Sequence, residues 1–167
     1  GAEAVVAIAI SLAASAACWI GGLAFKFYVT PGGEVGSIGV WQAHFDYAQA
    51  FAAAGITLTL ISPGKYKVEG NPYAPLDEEA QGFMQSRVDD YLASFTKAVA
   101  RGSGVPIAQV REGMGQGRVL GAEAAQAQGM VDGVAKFDEV VGKMRRDARA
   151  RPKASRLAQA RNALAIL

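Results

Sequence analysis

The sequence has very little of the chemistry that most catalytic sites use. Its 167 residues include one cysteine, Cys18, and one histidine, His44. A lone cysteine excludes an internal disulfide and a cysteine-rich zinc site. A Ser/His/Asp triad or a Cys18/His44 pair stays formally open, but no motif surrounds His44, which is placed at the start of a predicted helix. Neither arrangement is favoured.

Acidic residues with metal-ligand spacing are also missing. The pairs Glu78–Glu79, Asp89–Asp90 and Asp138–Glu139 have no further ligand in a metal-binding pattern, and we predict that they are solvated helix faces. Ser62-Pro63-Gly64-Lys65 is not a phosphate-binding loop, because Thr59 stands where a glycine is required and no Ser or Thr follows the lysine. The sequence predicts no metal and no cofactor.

Residues 3–25 have the length of a membrane span and only three markedly polar side chains, those of Glu3, Ser11 and Ser15. Eight of these residues are alanine, which contributes little to insertion, and no basic region precedes them. We therefore predict no membrane span. We expect a buried parallel strand from Val5 to Ile10, followed by a helix of small residues from Ala14 to Ala24.

The rest of the chain alternates short apolar runs with helical patterns, which predicts an α/β fold of stacked βα units. With 51% apolar residues, the chain can bury one substantial core. The predicted strands are Phe27–Thr30, Ser37–Trp41 and Ile56–Ile61, and the last has the strongest strand composition. A helix is predicted from His44 to Ala54. Prolines then keep the chain irregular until Leu76.

The longest predicted helix is capped by Asp77 and ends near Gly102. Its apolar side chains recur at three- and four-residue spacing, which is typical of packing against a core and not of a cofactor site. They are Phe83, Met84, Val88, Tyr91, Leu92, Phe95 and Val99. Short elements follow: a helix opened by Val105–Pro106, a strand at Gly117–Leu120 and a helix at Ala122–Gln128.

Charge divides the chain into a core, residues 1–142, and a basic tail, residues 143–167. Eight of the 17 Lys and Arg residues lie in the tail against one acid, Asp147, so the tail carries +7 and the core −5. The tail is predicted to be a helix or a linker. Self-association, nucleic-acid contact, connection to a scaffold segment and a solvated extension all fit this composition.

Four motifs occur in an order that resembles signal peptide peptidase A of the S49 serine peptidase family. They are Ala14-Ser15-Ala16, Gly36-Ser37-Ile38-Gly39-Val40, Gly64-Lys65-Tyr66-Lys67-Val68, and Gly117-Arg118-Val119-Leu120-Gly121 with the segments after it. Within that family, Lys67-Val68-Glu69-Gly70-Asn71-Pro72-Tyr73 is most similar to the phage-type branch of prohead (capsid assembly) proteases. The resemblance covers about residues 4–142 and implies a ClpP/crotonase-like α/β fold.

By position, the resemblance implies that Ser15 is a nucleophile, Lys67 its general base and Ser37 the serine that orients the lysine amine. Without the resemblance, a small residue that allows close helix packing is the favoured interpretation of Ser15. Lys65 and Lys67 are two residues apart and so share one side of an extended segment, and only the resemblance selects Lys67. A lysine base must be neutral, which requires apolar neighbours that exclude water.

One motif of the family is missing. The Ser-Pro-Gly-Gly-like turn that helps to form the oxyanion hole does not precede Ser15. We therefore expect a chain that lacks the N-terminal units of the family, with weak or no activity, because oxyanion donors contribute about 10²-fold or more to the rate. We also expect an unpaired strand edge and exposed apolar surface, which another polypeptide or a homo-oligomeric ring would cover.

The predicted function is that of a serine endopeptidase with a Ser-Lys dyad. The resemblance implies scaffold, capsid or portal proteins, or the enzyme's own chain, as substrates, inside phage procapsids in the host cytoplasm. A host peptidase that degrades signal peptides is an alternative, and it would require a membrane anchor upstream. A noncatalytic assembly module that retains the fold is a third hypothesis, from a different class.

Overall fold

The computed structural model describes residues 5–150, and the side chain of Ala150 is not described. In this range the strands are β1 (Val6–Ala9), β2 (Leu12–Ala14), β3 (Lys26–Val29), β4 (Glu34–Gly36), β5 (Val119–Gly121) and β6 (Gly133–Val134). The helices are α1 (Ala16–Gly22), α2 (Ala48–Ala53), α3 (Glu78–Ser103), α4 (Ile107–Glu112), α5 (Ala122–Ala127) and α6 (Phe137–Ala150). Residues 151–167 of the predicted tail lie outside the described range.

The strands form two small sheets, so the predicted mixed α/β class is confirmed. One sheet has the order β1-β3-β6 with both pairs parallel. The other has the order β2-β4-β5, in which β2 and β4 are parallel and β5 runs antiparallel to β4. In the second sheet Ala14 pairs with Gly36, which aligns the carboxyl ends of β2 and β4.

The core lies where α1 covers the strands and the C-terminal half of α3 packs on α1. Trp19 of α1 stacks on Phe95 of α3, with ring centroids 4.7 Å apart. Near the end of α3, a Cβ on Gly102 would lie 1.9 Å from the carbonyl oxygen of Gly22, so the two backbones meet without side chains between them. Other core residues are Ala9, Phe27, Val29, Val35, Val99, Val110, Met114, Ala122, Ala125, Met130 and Val131.

The capping prediction for α3 is confirmed. The Asp77 carboxylate accepts a hydrogen bond from the Ala80 backbone N–H at 2.7 Å, which satisfies one of the free donors of the first turn. The helix ends at Ser103, one residue after the predicted Gly102, and its cap is Gly104, which has a left-handed backbone with φ 69°. A glycine there meets no steric penalty.

Two predicted strands are wrong. Ile56–Ile61 has no regular structure, and Ser37–Trp41 lies beyond the end of β4. Strand composition is not sufficient without a neighbouring strand and a surface to pack on. No strand pairs with residues 56–61 in the described part of the chain, and their apolar side chains are exposed, Ile61 to 93%.

The apolar face of α3 is only partly buried. Phe95 and Val99 lie in the core, whereas Phe83 and Tyr91 are more than half exposed. Periodicity therefore identified α3 but not how far along this helix the core extends.

The N-terminal strand differs from the prediction. The single strand predicted at Val5–Ile10 is in fact β1, and β2 follows it before α1 begins.

An unpaired edge and exposed apolar surface are present, as predicted. Within the described residues β1 pairs only with β3 and β2 only with β4, so one edge of each strand has no partner. The exposed apolar side chains near these edges are Val5, Ile10, Leu12, Ile20, Leu23 and Phe25. None of the helices in residues 5–150 has the length and hydrophobicity needed to cross a membrane.

Candidate active site

Ser15 stands at a sharp turn between β2 and α1. Its backbone has φ 52° and ψ −117°, a conformation that non-glycine residues rarely adopt and that costs about 1–3 kcal/mol. The turn is held because the Ser15 N–H donates to the Gly36 carbonyl at 2.8 Å and the Ser15 carbonyl accepts from the Trp19 N–H at 2.9 Å. The hydroxyl makes no capping bond to α1 and the residue is exposed. The fold thus presents this hydroxyl to solvent at a strained position.

Ser37 follows β4 as Ser15 follows β2. Because Ala14 and Gly36 are register partners in parallel strands about 4.8 Å apart, the two serines that follow lie side by side. Ser37 also has a positive φ, 53°, and its N–H donates to the Arg118 carbonyl at 2.8 Å. Gly36 allows this close approach, since a Cβ there would lie 2.5 Å from the Arg118 carbonyl oxygen.

Both serines open into one cleft of about 810 Å³. The cleft lies between the segment after β4, α3 and the segment around α4. Besides the serines it is lined by Ile38, Gly39, Val40, Trp41, Leu92, Thr96, Val110, Arg111, Glu112, Gln116 and Gly117. Its size is that of a site for a peptide segment or a small molecule.

Lys67 is not part of this lining. It lies in the arm, which we define as residues 42–75, where its N–H donates to the Gly64 carbonyl and its side chain is exposed. The arm contacts the beginning of α3 at Glu79, whereas Leu92 of α3 lines the cleft. At 1.5 Å per residue these two positions are roughly 20 Å apart along the helix. Within one chain the structure brings Ser15 and Ser37 together and leaves Lys67 outside their cleft.

Lys65 has a different environment from Lys67. Its Nζ donates to Glu79 Oε1 at 2.8 Å and to Oε2 at 2.9 Å, and the Tyr66 hydroxyl donates to the same carboxylate at 2.9 Å. These contacts raise the pKa of Lys65 and lower the pKa of Glu79, with the bond between the two as the main cause. Lys65 is therefore held as a cation, which is unsuitable for a general base.

Comparison with known proteins assigns this chain to a family. The sequence model of Peptidase family S49 matches residues 2–151. The chain belongs to peptidase family S49. Capsid assembly protease C of Escherichia phage lambda is 31% identical over 139 residues. Head-tail preconnector protein GP5 of Enterobacteria phage P21 is 35% identical over 117 residues. The resemblance to the phage branch of the family is confirmed.

This S49 chain spans a minor part of the two phage relatives. The lambda alignment covers 83% of this chain and 31% of the lambda protein, and the P21 alignment covers 70% of this chain and 22% of the P21 protein. The aligned regions establish the family.

The remaining candidates have structural roles in this S49 chain. His44 Nε2 lies 2.9 Å from the Asn71 carbonyl oxygen, a contact within the arm, and His44 does not line the Ser15 cleft. Cys18 is buried under the Ser15 turn, and burial raises the pKa of its thiol. A protonated, buried thiol is a poor nucleophile. In residues 5–150 no group of His, Cys, Asp and Glu side chains is suited to hold a metal.

Sequence reasoning missed the aromatic side chains beside Ser15, those of Trp19, Trp41 and Tyr91. Trp41 was assigned to a strand and Tyr91 to the buried face of α3. One local signal did point to the Ser15 turn: Ala14 and Ala16 flank the serine, and small residues permit a tight strand-to-helix turn.

Proposed function

We propose that this chain contributes a serine endopeptidase site in which Ser15 is the nucleophile, Lys67 the general base and Ser37 the residue that orients the base. The observation that carries the proposal is the strained, exposed Ser15 beside Ser37 at the entrance of one cleft. A backbone strained at a solvent-accessible serine is typical of a functional position. The mixed α/β architecture is consistent with the ClpP/crotonase-like class.

In the proposed reaction, Ser15 Oγ attacks the carbonyl carbon of the scissile peptide bond while the neutral Lys67 amine takes its proton. The lysine returns that proton to the leaving amine as the C–N bond breaks, which leaves an acyl-enzyme on Ser15. Lys67 then takes a proton from water, whose oxygen attacks the ester, and the acid product leaves with Ser15 restored.

The position of Lys67 implies that a second copy of the chain supplies it. Within one copy, Lys65 of the arm contacts α3 at Glu79, roughly 20 Å along the helix from Leu92, and Gly70 lies against Met84, roughly 12 Å from it. The arm also exposes Ile56, Leu58, Leu60 and Ile61, apolar side chains that a second copy would cover. The same contact would exclude water from the lysine amine and so favour its neutral form. A homo-oligomeric ring satisfies these requirements by repeating one interface.

The proposed setting is phage capsid maturation. The names of the two phage relatives, a capsid assembly protease and a head-tail preconnector protein, support this setting. The proposed substrates are scaffold, capsid or portal polypeptides, or the enzyme's own chain, cleaved inside procapsids in the host cytoplasm. Nucleic-acid contact by the basic tail stays a prediction, since its last residues, 151–167, lie outside the described range.

The first test labels the chain with a fluorophosphonate, which reacts with activated serines. We expect labelling of Ser15 and its loss in Ser15→Ala, together with a fall in cleavage of a denatured, fluorescently labelled protein by on the order of 10⁴-fold or more. Ser11→Ala is the matched control, because Ser11 is an exposed serine between β1 and β2. Equal labelling of both variants would refute the assignment of the nucleophile.

The second test separates the two lysines and the two copies. Lys67→Ala should abolish cleavage, whereas Lys65→Ala should retain it. Mixing Ser15→Ala with Lys67→Ala chains should restore about a quarter of the activity if each dyad joins two copies, because that fraction of interfaces pairs an intact serine with an intact lysine. A mixture without activity would place both dyad residues in one copy.

A noncatalytic assembly module is favoured by one observation, the absence of Lys67 from the Ser15 cleft. That hypothesis predicts no fluorophosphonate labelling of Ser15 in an oligomeric, folded sample that still binds scaffold polypeptide. The two labelling outcomes therefore separate an enzyme from a binding protein.

A further inference from the structure

Ser15 borders a second, smaller cleft of about 270 Å³, which we call the aromatic cleft. Its lining is Ala16, Trp19, Gly39, Val40, Trp41, Tyr91 and Phe95, in addition to Ser15. It shares Ser15 and the segment from Gly39 to Trp41 with the larger cleft, so this segment separates the two. A polypeptide that presents a bond to Ser15 therefore meets two clefts of different size.

The two clefts also differ in chemistry. The larger one contains Arg111, Glu112 and Gln116, whereas the aromatic cleft has no charged side chain in its lining. Its floor is the stacked pair of Trp19 and Phe95, whose rings lie within 7° of parallel. Phe95 is only 2% exposed, so core packing fixes this floor. The aromatic cleft is a preformed apolar surface beside the proposed nucleophile.

The walls of the aromatic cleft are unusually exposed. Trp41 is 83% exposed and Tyr91 53% exposed. Covering a large aromatic side chain with another apolar group is favourable, and such residues are frequent at the centres of binding surfaces. Trp41 and Tyr91 are therefore placed to contact a side chain that enters the cleft.

We infer that the aromatic cleft binds one large apolar or aromatic side chain of the substrate polypeptide next to the scissile bond, and that Trp41 is its main specificity-determining residue. The position relative to the scissile bond rests on the proposed role of Ser15. A volume of about 270 Å³ corresponds to about nine water molecules at roughly 30 Å³ each, which is enough for one large side chain. A charged side chain is disfavoured, because it would lose water without gaining a partner.

The test uses Ser15→Ala, which separates binding from cleavage. Both tryptophans of the 167-residue sequence line the aromatic cleft, so tryptophan fluorescence reports on this site. The probes are blocked octapeptides that are identical except for one central residue, Leu, Phe, Ala or Asp. We expect the Leu and Phe peptides to shift the emission to shorter wavelength and to bind at least about tenfold more tightly than the Asp peptide.

Trp41→Ala in the same background should weaken binding of the Leu peptide about tenfold, as followed by the remaining Trp19, with little change for the Ala peptide. Trp41→Phe should restore most of the affinity. Phe45→Ala is the matched control, because Phe45 is an exposed aromatic residue that lines neither cleft.

Equal affinities for the Leu and Asp peptides, or no emission change with any peptide, would overturn the inference. So would an unchanged affinity in Trp41→Ala. Failure of the fluorophosphonate test with a retained apolar preference would instead refute only the nucleophile and leave a peptide-binding cleft.

Discussion

The packed sheets and the arm of this chain both contain large apolar side chains, but these side chains differ greatly in burial. In the sheets and the helices over them, Val29 and Val35 are fully buried, and Phe95 nearly so. In the arm, Ile56 and Ile61 are at least half exposed. For these side chains the difference lies in what each segment packs against.

The arm is held mainly by polar contacts and by its own residues. The Tyr47 N–H donates to the Pro72 carbonyl at 2.8 Å, and the Phe51 and Tyr73 rings lie 5.4 Å apart. Its links to α3 include the ion pair of Lys65 and Glu79 and the close approach of Gly70 to the Met84 side chain. Segments with few buried apolar contacts open at low free energy. The arm should therefore open at a lower free energy than the packed sheets.

The largest expected difference between the two regions concerns stability. Phe95→Ala should lower the free energy of unfolding by about 3–5 kcal/mol, because it removes a buried ring stacked on Trp19. Ile61→Ala should change it by less than about 0.5 kcal/mol in dilute samples, since its side chain is already in water. Urea unfolding measures both values.

The dependence of stability on protein concentration gives a further test of this comparison. If a second copy covers the arm, the stability of the wild-type chain should rise with protein concentration, and Ile61→Ala should reduce that rise while Phe95→Ala should not. A large loss in Ile61→Ala at the lowest concentration would show that the arm is buried within one copy.

Substitution of two glycines of α3 by alanine should change the free energy of unfolding in opposite directions. Gly82 lies in the exposed half of the helix with open space around it, so Gly82→Ala should stabilise the chain by about 1 kcal/mol through helix propensity. Gly102 lies against the Gly22 backbone, so Gly102→Ala should destabilise it by about 1–3 kcal/mol because α1 must shift.

Thermal or urea unfolding of both variants provides the measurement. A shift of α1 should also disturb the turn at Ser15, so Gly102→Ala should lose more fluorophosphonate labelling than Gly82→Ala. Stabilisation by both substitutions would contradict the close contact between α1 and α3.

The sequence predicted the packed region better than the arm. The Asp77 cap, the strand at Phe27–Thr30 and the helix after Pro106 depend on local chemistry that the chain itself contains. Ile56–Ile61 has equally strong strand composition, yet a strand also requires a partner, and no sequence pattern states where that partner is. An apolar segment without a neighbouring strand is therefore mistaken for a strand when composition alone is considered.

In the candidate site too, the residues of the packed region were predicted better than the residue in the arm. Ser15 and Ser37 come together through the register of β2 and β4, and their proximity was predicted only through the resemblance to the family. Lys67 lies in the arm, outside the Ser15 cleft. Its proposed approach to Ser15 would require contacts between copies, which a single sequence does not encode in a readable form. The position of Trp41 beside Ser15 was missed because an exposed side chain in a segment without regular structure has no periodic pattern.

The smallest expected effect concerns the ion pair of Lys65 and Glu79, one of the contacts that join the arm to α3. The folded state lowers the pKa of Glu79 below its ordinary 4.5, so its contribution is present above about pH 4.5 and is lost as the pH falls through the folded-state pKa. The pKa of Lys65 is raised above its ordinary 10.5, so the pair persists up to and beyond that pH. A ¹³C titration of the Glu79 carboxyl should give a midpoint below 4.5.

Removal of the carboxylate should loosen the arm without affecting the core. At neutral pH, Glu79→Gln should speed amide exchange in residues 64–70 by a few-fold while leaving β3 and α1 unchanged, since an exposed ion pair contributes little to global stability. Glu78→Gln is the matched control, because it removes the same charge from the same turn of α3. Faster exchange in both variants would attribute the effect to the N-terminus of the helix, and no change in either would mean that the arm is held by its other contacts alone.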